Sequence, residues 1–575
     1  MESQTKVCQF CKKDFIIESD DFAFYEKMRV PPPTFCPECQ AIRQMTFRNE
    51  NKLYRRTNND PEAESSKLIS MFSEDKDLVV YDHKSWWGDS WDSYSYGKDY
   101  DFSRPFFEQM KELIKTIPWP NLINWNSVNS DYCNYTTDNK NCYLVFGGDF
   151  NENCSYSKFN FHSRDSQDLF WVNKSDLCYE CIDVDESYRV SFSQYSKGCS
   201  DSMFLFDCIN CNYCIGCVNL RNKSHCIFNK QYTKEEYINI INEYKLDTRT
   251  GIELFKNKFL EFKLKFPHKY ANIIKSIGCT GNNIIESKNC INCFEANTNC
   301  KDLKNVNFAG WGAYDSRSTC YTGHNSELVY DSLCIFSKSH NIKFSLFQPS
   351  SMNLTYVYNC PASSNLFGCV GIKKGNYAIL NKQYTKEQYE ELIPKIIKHM
   401  NDMPYIDSKG RIYKYGEFLP SELSPFAYNE TVAFDYYPLT KEEAISMGYS
   451  WKDQEEKDYN VTIPSDKIPE KISEVSDEIL DEVIGCEHYG KCNDQCSTAF
   501  KIIPEELNFY KRMNLPLPNL CPNCRHYNRL KQRSPLKLWH RSCMNTGCTN
   551  EFETSYAPDR PEIIYCEKCY QQEVY

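Results

Sequence analysis

The residues with the clearest chemistry are cysteines, which occur as close pairs near both ends of the chain. In each end the two pairs are separated by 24 residues. The N-terminal set is Cys8, Cys11, Cys36 and Cys39, and the C-terminal set is Cys492, Cys496, Cys521 and Cys524. Four thiolates in two close pairs suit tetrahedral Zn²⁺, with Zn–S distances of about 2.3 Å. The spacing therefore predicts one structural zinc ion in each set.

The sequence around the two sets is also shared. The N-terminal set contains FYEKMRVPPPTFCPEC, and the C-terminal set contains FYKRMNLPLPNLCPNC. The segments after the second pairs, QAIRQMTFRNENKL and RHYNRLKQR, have the pattern of helices. A cysteine turn, a hairpin within the 24 intervening residues and a helix that carries the last pair make up a treble-clef or zinc-ribbon module. The sequence predicts such a module at each end.

A third four-cysteine set follows at the C-terminus. It consists of Cys543, Cys548, Cys566 and Cys569. In the N-terminal copy, Asn58, Asp82 and Ser85 stand where Cys543, Cys566 and Cys569 stand. We therefore expect this N-terminal subdomain to keep the shape without the metal, which gives about three zinc ions in all. Cys486 lies outside all three predicted sets.

The C-terminal module is basic. Residues 507–550 contain no Asp or Glu, and aromatic residues lie among the cations. The candidate nucleic-acid-binding residues are Arg525, Arg529, Lys531, Arg533, Trp539 and Arg541. Basic helices on small zinc modules suit phosphate contact, with aromatic rings available for base stacking. The alternative is a basic face on a module that docks to protein.

The middle of the chain, from about residue 120 to 390, is rich in Asn, Ser, Asp, Cys and aromatic residues. Short apolar runs recur every 10–14 residues, which is typical of a β-solenoid whose coils bury their faces by stacking. Residues 208–237 align without gaps with residues 360–389. In each copy a capping box, Thr233 with Glu236 or Thr385 with Gln388, predicts a helix after the strands. The middle is therefore expected to be two solenoid halves, each closed by helices.

Four of the central cysteines form a C-x2-C-x2-C-x2-C run at positions 208–217. This run has the look of an iron–sulfur ligand set. In the internal copy, however, the two inner cysteines are replaced by Ser363 and Leu366. Small buried thiols that line the solenoid are the alternative, and the sequence favours them.

No catalytic motif is present: the sequence has no HExxH, no phosphate-binding loop and no dinucleotide fingerprint. We expect a zinc-stabilised, non-enzymatic binding or scaffold protein. The alternative is a β-helical enzyme or lectin-like protein that acts on an extended polymer such as polysaccharide. The aromatic segment 86–107 could bind sugar, or it could wedge one domain against the next. The segment 416–440 is expected to be an extended strap packed on the solenoid. The segment 455–483 is expected to be a charged linker with a short helix.

Composition places the chain in a broad class. The 575 residues include 32 cysteines and carry a formal net charge of −11, with 41% hydrophobic residues. No apolar run is long enough for a transmembrane helix, and the start lacks a hydrophobic signal core. These features favour an intracellular protein with reduced thiols and no membrane partner. The expected fold is mainly β with α: a central two-part, parallel β-helix-like solenoid between zinc modules, with boundaries at 1–100, 101–265, 266–400, 401–485 and 486–575.

Several long segments resemble a group of cysteine-rich proteins of giant DNA viruses and small-genome bacteria. The segments are VPPPTFCPEC, LYRR, WWGDSWD, YGKDYDFSRPFFEQ, NKNCYLVF, NLRNKSHCIFNKQYTKEEY and GEFLPSELSPFAYNETVA. The resemblance covers nearly the full length and implies a zinc-ribbon and β-solenoid architecture. Some members carry a CaiB/BaiF CoA-transferase label, but this sequence has no CoA-binding fingerprint. The positions Asn58, Asp82 and Ser85 depart from the metal-binding pattern of the intact copy.

Overall fold

The structure, a computed structural model, describes residues 2–453 and 459–574. The α-helices are α1 (Ser19–Met28), α2 (Pro37–Met45), α3 (His83–Trp87), α4 (Phe106–Thr116), α5 (Lys234–Glu243), α6 (Arg249–Lys263), α7 (Lys386–Asp402), α8 (Val432–Tyr436), α9 (Lys441–Ser446), α10 (Pro504–Met513), α11 (Pro522–Leu530) and α12 (Glu567–Val574). Short 3-10 helices span Ser93–Tyr96, Ser421–Leu423, Tyr428–Glu430, Ser465–Lys467, Ile472–Glu474 and Asp477–Leu480. Within these described ranges, no helix has both the length and the apolar content needed to cross a membrane.

The strands outside the solenoid form small two-stranded sheets. At the N-terminus they are Gln4–Val7, Asp14–Ile17, Tyr54–Thr57, Lys67–Ser70, Val79–Tyr81 and Pro118–Pro120. After the solenoid they are Tyr405–Ile406, Ile412–Tyr413, Ile484–Gly485, Ala499–Phe500, Trp539–Ser542, Glu551–Thr554 and Ile563–Tyr565. The last of these pairs in parallel with Pro267–Lys269, which lies between the two halves of the solenoid.

The solenoid strands are short and pair in parallel. In the first half they are Asn124–Trp125, Thr136–Thr137, Lys158–Phe161, Phe170–Asn173, Ile182–Asp185, Tyr188–Ser191, Ser200–Phe206, Asn212–Val218, Ser224–Ile227 and Lys230–Gln231. In the second half they are Ile273–Ile274, Gly281–Ile285, Lys288–Ile291, Cys293–Asn297, Lys301–Gly310, Ala313–Gly323, Ser326–Tyr330, Leu333–Phe336, His340–Lys343, Leu346–Pro349, Met352–Thr355, Ser364–Phe367, Asn376–Ile379 and Lys382–Gln383. Only the last strand of each half returns antiparallel. The predicted β-solenoid is confirmed, with about 21 turns.

Each turn of the solenoid is close to 12 residues long. Parallel bridges join Val128 to Lys140 and Lys140 to Glu152, and similar steps run along the first half. In the second half some steps lengthen to 13, as from Lys301 to Tyr314. Left-handed residues recur at nearly every third position, so a turn has four short sides joined by four corners. This geometry explains the many Asn and Asp residues, which adopt the left-handed conformation more readily than most side chains.

The residue after each corner points into the coil, where small side chains fit. Many of these inward positions are Ser or Cys, and both types hydrogen-bond to the backbone of the next turn. The Ser130 hydroxyl accepts from the Cys142 amide at 3.0 Å, and the Cys142 thiol lies 3.5 Å from the Asn151 carbonyl. Outside the coil, Asn side chains stack as a ladder, with Asn129 donating to Asn141 at 3.1 Å. Buried polar groups are thereby satisfied without large side chains.

The two halves of the solenoid lie side by side and run in opposite directions. Early residues of the first half contact late residues of the second, as in the ring contact of Trp125 with Phe347 at 6.0 Å. Later residues of the first half contact earlier ones, as in the stacking of Trp171 on Phe308. The antiparallel arrangement brings residues about 140–220 positions apart in the sequence into one interface.

Helices close both halves, as the capping boxes predict. Thr233 caps α5 and Thr385 caps α7, each with the reciprocal side chain in place. The aromatic segment 86–107 wedges against the end of the second half: Phe106 contacts Phe367 at 5.4 Å. In the segment 416–440, which is predicted to be a strap, Phe418 and Leu419 are fully buried.

Two local expectations differ from the structure. The 24 residues between the cysteine pairs contain no complete hairpin. They contain one strand, which pairs with the strand that precedes the first cysteine of the set, and then a helix, α1 at the N-terminus and α10 at the C-terminus. The predicted linker forms short 3-10 helices and packs against the rest of the protein, since Ile468 and Ile472 are buried together with residues of α6. Its charged residues 455–458 lie outside the described part of the chain.

Candidate metal centres and docking surfaces

The first predicted set of thiols comes together in the structure. The Sγ atoms of Cys8, Cys11, Cys36 and Cys39 all lie within 4.8 Å of one another. Cys8 directly follows the first strand, and Cys36 is the N-cap of α2, which carries Cys39 in its first turn. The Cys36 amide donates to the Cys8 sulfur at 3.3 Å. A strand end and a helix start thus hold four thiols around one point.

The second set differs from the prediction in one member. The four thiols within 4.8 Å of one another are Cys486, Cys496, Cys521 and Cys524. Cys486 is fully buried and takes the place expected for Cys492. The Cys521 amide donates to the Cys486 sulfur at 3.3 Å, as the Cys36 amide does to Cys8. Cys486 is therefore the counterpart of Cys8.

An insertion hides this equivalence in the sequence. Cys8 and Cys11 are three positions apart, whereas Cys486 and Cys496 are ten positions apart, so seven extra residues lie in the C-terminal turn. The inserted stretch contains Cys492, which gave a closer but misleading pair with Cys496. A signal was present: Ile484–Gly485 ends directly before Cys486, as the first strand ends directly before Cys8.

Cys492 remains close to the second set. It forms a smaller group with His488 and Cys524, whose ligand atoms also lie within 4.8 Å of one another. The Cys492 and Cys524 sulfurs are 3.7 Å apart, and His488 Nδ1 lies 3.2 Å from the Cys524 sulfur. The C-terminal module thus offers two more ligands than the N-terminal one.

The third predicted set is also assembled. The Sγ atoms of Cys543, Cys548, Cys566 and Cys569 lie within 4.8 Å of one another. A hairpin of Trp539–Ser542 with Glu551–Thr554 presents the first two thiols, and the start of α12 presents the last two. The Cys566 amide donates to the Cys543 sulfur at 3.3 Å, which repeats the arrangement of the other two sets.

The N-terminal counterpart of the third set keeps the same elements. Tyr54–Thr57 pairs with Lys67–Ser70 as a hairpin, and helix α3 follows. At the equivalent of two ligand positions, the Asp82 carboxylate accepts hydrogen bonds from the Ser85 amide at 3.0 Å and from its hydroxyl at 2.8 Å. Burial raises the pKa of Asp82, but these hydrogen bonds outweigh it and leave the pKa lowered. Hydrogen bonds here join positions that thiols occupy in the intact copy.

In each of the first two sets, neighbouring thiols lower the pKa of one cysteine. Hydrogen bonds from Cys36 and Cys39 lower the pKa of the Cys8 thiol, and those from Cys486 and Cys524 lower the pKa of Cys521. Each of these two sets therefore favours one thiolate, the form that binds metal, while hydrogen bonds with the neighbouring thiols raise the pKa of Cys39 and of Cys524. Four soft sulfur donors with no open position suit a structural zinc ion. Each of the three groups could hold a metal ion.

Three of the predicted nucleic-acid-binding arginines are buried. Arg525, Arg529 and Arg533 are 2%, 1% and 8% exposed, and they face the first half of the solenoid. Arg529 donates to Asp168 at 2.7 Å, and Arg525 lies 3.3 Å from the same carboxylate. These three guanidinium groups hold the C-terminal module on the solenoid, so they are not available to phosphate in this structure.

Arg533 reaches across both halves of the solenoid. It lies 3.1 Å from Asp183 in the first half and 2.5 Å from Glu295 in the second. The remaining predicted residues are less enclosed: Lys531 is exposed and paired with Asp494 at 2.6 Å. Trp539 and Arg541 are half-buried on the terminal hairpin.

The C-x2-C-x2-C-x2-C run belongs to the solenoid interior. Cys208, Cys211, Cys214 and Cys217 are each fully buried and spaced at the period of the inward positions. Each thiol lies 3.4–3.6 Å from the backbone carbonyl two residues earlier, as Cys208 does from Phe206. The spacing of three therefore follows from one inward residue on each side of a turn.

Comparisons with known proteins give no family for the chain. No protein-family model and no curated protein matches it. Among solved structures, a "putative acetyltransferase" from Desulfovibrio desulfuricans G20 aligns with 51% of this chain and 75% of its own, at 8% identity. The TM-score is 0.11, so this alignment carries no argument about fold or function.

Proposed function

We propose that the protein is a zinc-stabilised binding scaffold, in which metal-bound modules from the two ends clamp a two-part solenoid. The observation that carries the proposal is the placement of three four-thiol groups on modules whose helices dock into the solenoid. In small modules of this kind the metal supplies much of the folding free energy, because a preformed site rarely exists in the unfolded chain.

The solenoid suits a scaffold because it offers long, rigid outer faces. Its interior is filled by small side chains, and its outer positions vary in charge and size from turn to turn. Solenoids of this type commonly use an extended surface for binding. We propose zinc because each group offers four sulfur donors that can fill its tetrahedral coordination. Copper(II) prefers square-planar nitrogen and oxygen ligands, and elemental analysis distinguishes zinc from iron, which four thiolates can also hold.

Contact with nucleic acid stays a prediction. With three arginines buried, it would depend on Lys531, Trp539 and Arg541, together with Lys537, which lies 5.3 Å above the Trp539 ring. A salt titration of the full-length protein against single-stranded RNA and DNA tests it. Binding that weakens steeply with salt and with Arg541→Ala would support this role, and the absence of salt-dependent binding would exclude it.

The alternative, a β-helical enzyme or lectin-like protein that acts on an extended polymer, is not favoured. An acid–base pair for glycoside cleavage needs two carboxyl groups about 5–9 Å apart in an open groove. A cavity between the two halves of the solenoid is lined by one carboxylate, Asp149, and so does not supply such a pair.

The scaffold proposal is tested by removing the metal from the full-length protein. We expect a strong chelator, under reducing conditions, to remove zinc and to lower the melting temperature, because the terminal modules lose their cross-links. Adding Zn²⁺ back should restore it. If the chelator removes the metal and the unfolding curve does not change, zinc does not stabilise the scaffold and the proposal fails.

A further inference from the structure

A cavity of about 220 Å³ lies between the two halves of the solenoid. Its walls come from residues 123–171 of the first half and 297–349 of the second, and Arg48 reaches it from the N-terminal module. None of the zinc ligands lines it. The cavity is therefore a separate feature from the metal centres, and it exists because the two halves pack side by side.

Four aromatic rings in the wall lie in nearly parallel planes. Phe159 stacks on Trp171 with 4.6 Å between ring centroids, and Phe308 stacks on Tyr321 with the same separation. Trp171 and Phe308 join the two pairs across the interface at an angle of 7°. A flat ring that enters the cavity can lie parallel to these faces, which is the preferred geometry of aromatic contacts.

Four lining residues carry a buried polar atom that has no hydrogen-bond partner in the described part of the chain. These atoms are Trp171 Nε1, Asn297 Oδ1, Tyr321 Oη and Thr322 Oγ1. Buried polar atoms are nearly always paired in folded proteins. The group contains a donor, an acceptor and two hydroxyls that can serve as either. A matching ligand therefore has both donors and acceptors at its edge.

The charges near the cavity are balanced. Arg48 pairs with Glu50 at 2.6 Å, and Glu50 pairs with Lys158 at the same distance. Lys158 in turn lies 2.8 Å from Asp435. Two cations and two anions cancel, and burial raises the pKa of the lining Asp149 to about 7, which weakens its negative charge near neutral pH. The surroundings therefore favour an uncharged ligand over a phosphate or a carboxylate.

The size of the cavity limits the ligand further. A dry cavity of about 150 Å³ holds one benzene molecule. The cavity in this protein is larger, so it has room for a fused two-ring system. An opening is marked by Trp311, which is 48% exposed and lies 4.9 Å from the His324 ring.

We propose that this cavity binds one uncharged, planar heteroaromatic molecule of nucleobase size, stacked on the aromatic faces and hydrogen-bonded at its edge. The inference does not depend on the zinc scaffold proposal, since it uses other residues and another interface. A metal-loaded protein that fails to bind such a ring would leave the scaffold proposal intact.

The test uses the zinc-loaded, full-length protein and a matched series of small ligands. The probes are adenine, guanine, cytosine, uracil, benzimidazole and indole, with glucose as a sugar probe. Binding is measured by calorimetry and by quenching of tryptophan fluorescence. We expect one site per chain, and we expect benzimidazole, which has both a donor and an acceptor, to bind at least about tenfold more tightly than indole, which has only a donor.

Two variants connect the binding to the cavity. Trp171→Phe removes the unpartnered N–H but keeps an aromatic ring, and Asn297→Leu removes the acceptor. Each substitution should raise the dissociation constant of the tightest-binding base by about tenfold or more. Trp451→Phe, which packs against Phe434 outside the cavity, should leave binding unchanged. Because the ligand series on the wild-type protein needs no variant, the test holds even if a substitution disturbs folding.

The outcomes separate clearly. Saturable binding of a base, with the expected preference for benzimidazole over indole, supports the proposal. Equal binding of indole and benzimidazole would mean a purely apolar cavity and would overturn it. Binding of glucose in place of the bases, or no binding of any probe at millimolar concentration, would overturn it as well.

Discussion

The two ends of the chain dock on the solenoid by the same plan but with different chemistry. The N-terminal module packs on the second half, where Gln44 Nε2 donates a hydrogen bond to Asp331 Oδ1 at 2.6 Å. The C-terminal module packs on the first half, where Arg529 Nη1 donates a hydrogen bond to Asp168 Oδ1 at 2.7 Å. Gln44 and Arg529 are equivalent, since each lies five residues after the last cysteine of its set. Each buried aspartate therefore accepts hydrogen bonds from the helix of the terminal module that is farther from it in the sequence.

The difference lies in how many charges each aspartate balances. Asp168 holds two guanidinium groups, those of Arg525 and Arg529, and Glu506 pairs with the first of them at 3.2 Å. Asp331 holds one guanidinium, that of Arg43, at 3.2 Å. The remaining contacts of Asp331 are neutral amides. The docking position is shared, but Asp168 balances two buried guanidinium groups, whereas Asp331 balances one, which also lies 3.6 Å from the buried Glu417 carboxylate.

The largest expected effect concerns the metal sets themselves. Cys8→Ser leaves three thiols at the N-terminal set, whereas Cys486→Ser leaves three thiols with Cys492 close by. We expect Cys8→Ser to lose about one zinc per chain and Cys486→Ser to retain more of its metal, because a fourth sulfur can replace the missing one.

The double variant Cys486→Ser with Cys492→Ser is the matched control, and it should lose about as much zinc as Cys8→Ser does. Cys492→Ser alone should retain all of its metal. Elemental analysis of the purified variants measures this. If Cys492→Ser alone loses one zinc and Cys486→Ser loses none, the ligand assignment in the structure is wrong.

The next effect compares the two aspartates. Asp168→Asn leaves two buried guanidinium groups short of a negative partner, which should destabilise the protein by about 3–5 kcal/mol. Asp331→Asn mainly exchanges hydrogen bonds with amides and one arginine, so we expect a loss of roughly 1–3 kcal/mol. The midpoints of urea unfolding measure both.

Asp165→Asn is the matched control for this pair. Asp165 is another corner residue of the first half, and its contact with Arg512 at 3.1 Å is solvent-exposed, so it should cost no more than about 1 kcal/mol. Equal losses for Asp168→Asn and Asp331→Asn would show that the extra buried charge does not matter to docking.

How far the sequence predicts this architecture depends on the range of the contacts. The solenoid, its closing helices and the first and third thiol groups follow from local repeats of cysteine, asparagine and capping residues. Cys486 was missed because a seven-residue insertion lies between it and Cys496. The docking of each end on the distant half, and the burial of Arg525, could not be predicted, since they depend on how two solenoid halves pack.

A third prediction concerns the subdomain without cysteines. Ala63 lies five residues after Asn58, as Cys548 lies five after Cys543. Installing cysteine at positions 58, 63, 82 and 85 together should add about one zinc per chain, because the hairpin and the following helix are retained. Serine at the same positions is the control. If the cysteine variant folds and binds no additional zinc, the two subdomains differ in geometry more than their strands indicate.

The smallest expected effect is a pH dependence at the interface between the solenoid halves. Burial raises the pKa of Asp149 to about 7 from an unfolded value of 3.8. The folded state therefore binds this proton more tightly, so the contribution of Asp149 to stability falls as the pH rises from about 4 to 7. Asp149→Asn should flatten this part of the stability profile, measured by urea unfolding between pH 5 and pH 8. If Asp149→Asn leaves the dependence of stability on pH unchanged, the pKa of Asp149 is not raised by burial.

Elemental analysis of the wild-type protein, purified with a thiol reductant, tests the central claim most directly. The account predicts about three zinc atoms per chain and no iron, since each of the three four-thiol groups has a full set of sulfur ligands. A chain that folds with no bound metal, or that carries iron in place of zinc, would contradict it.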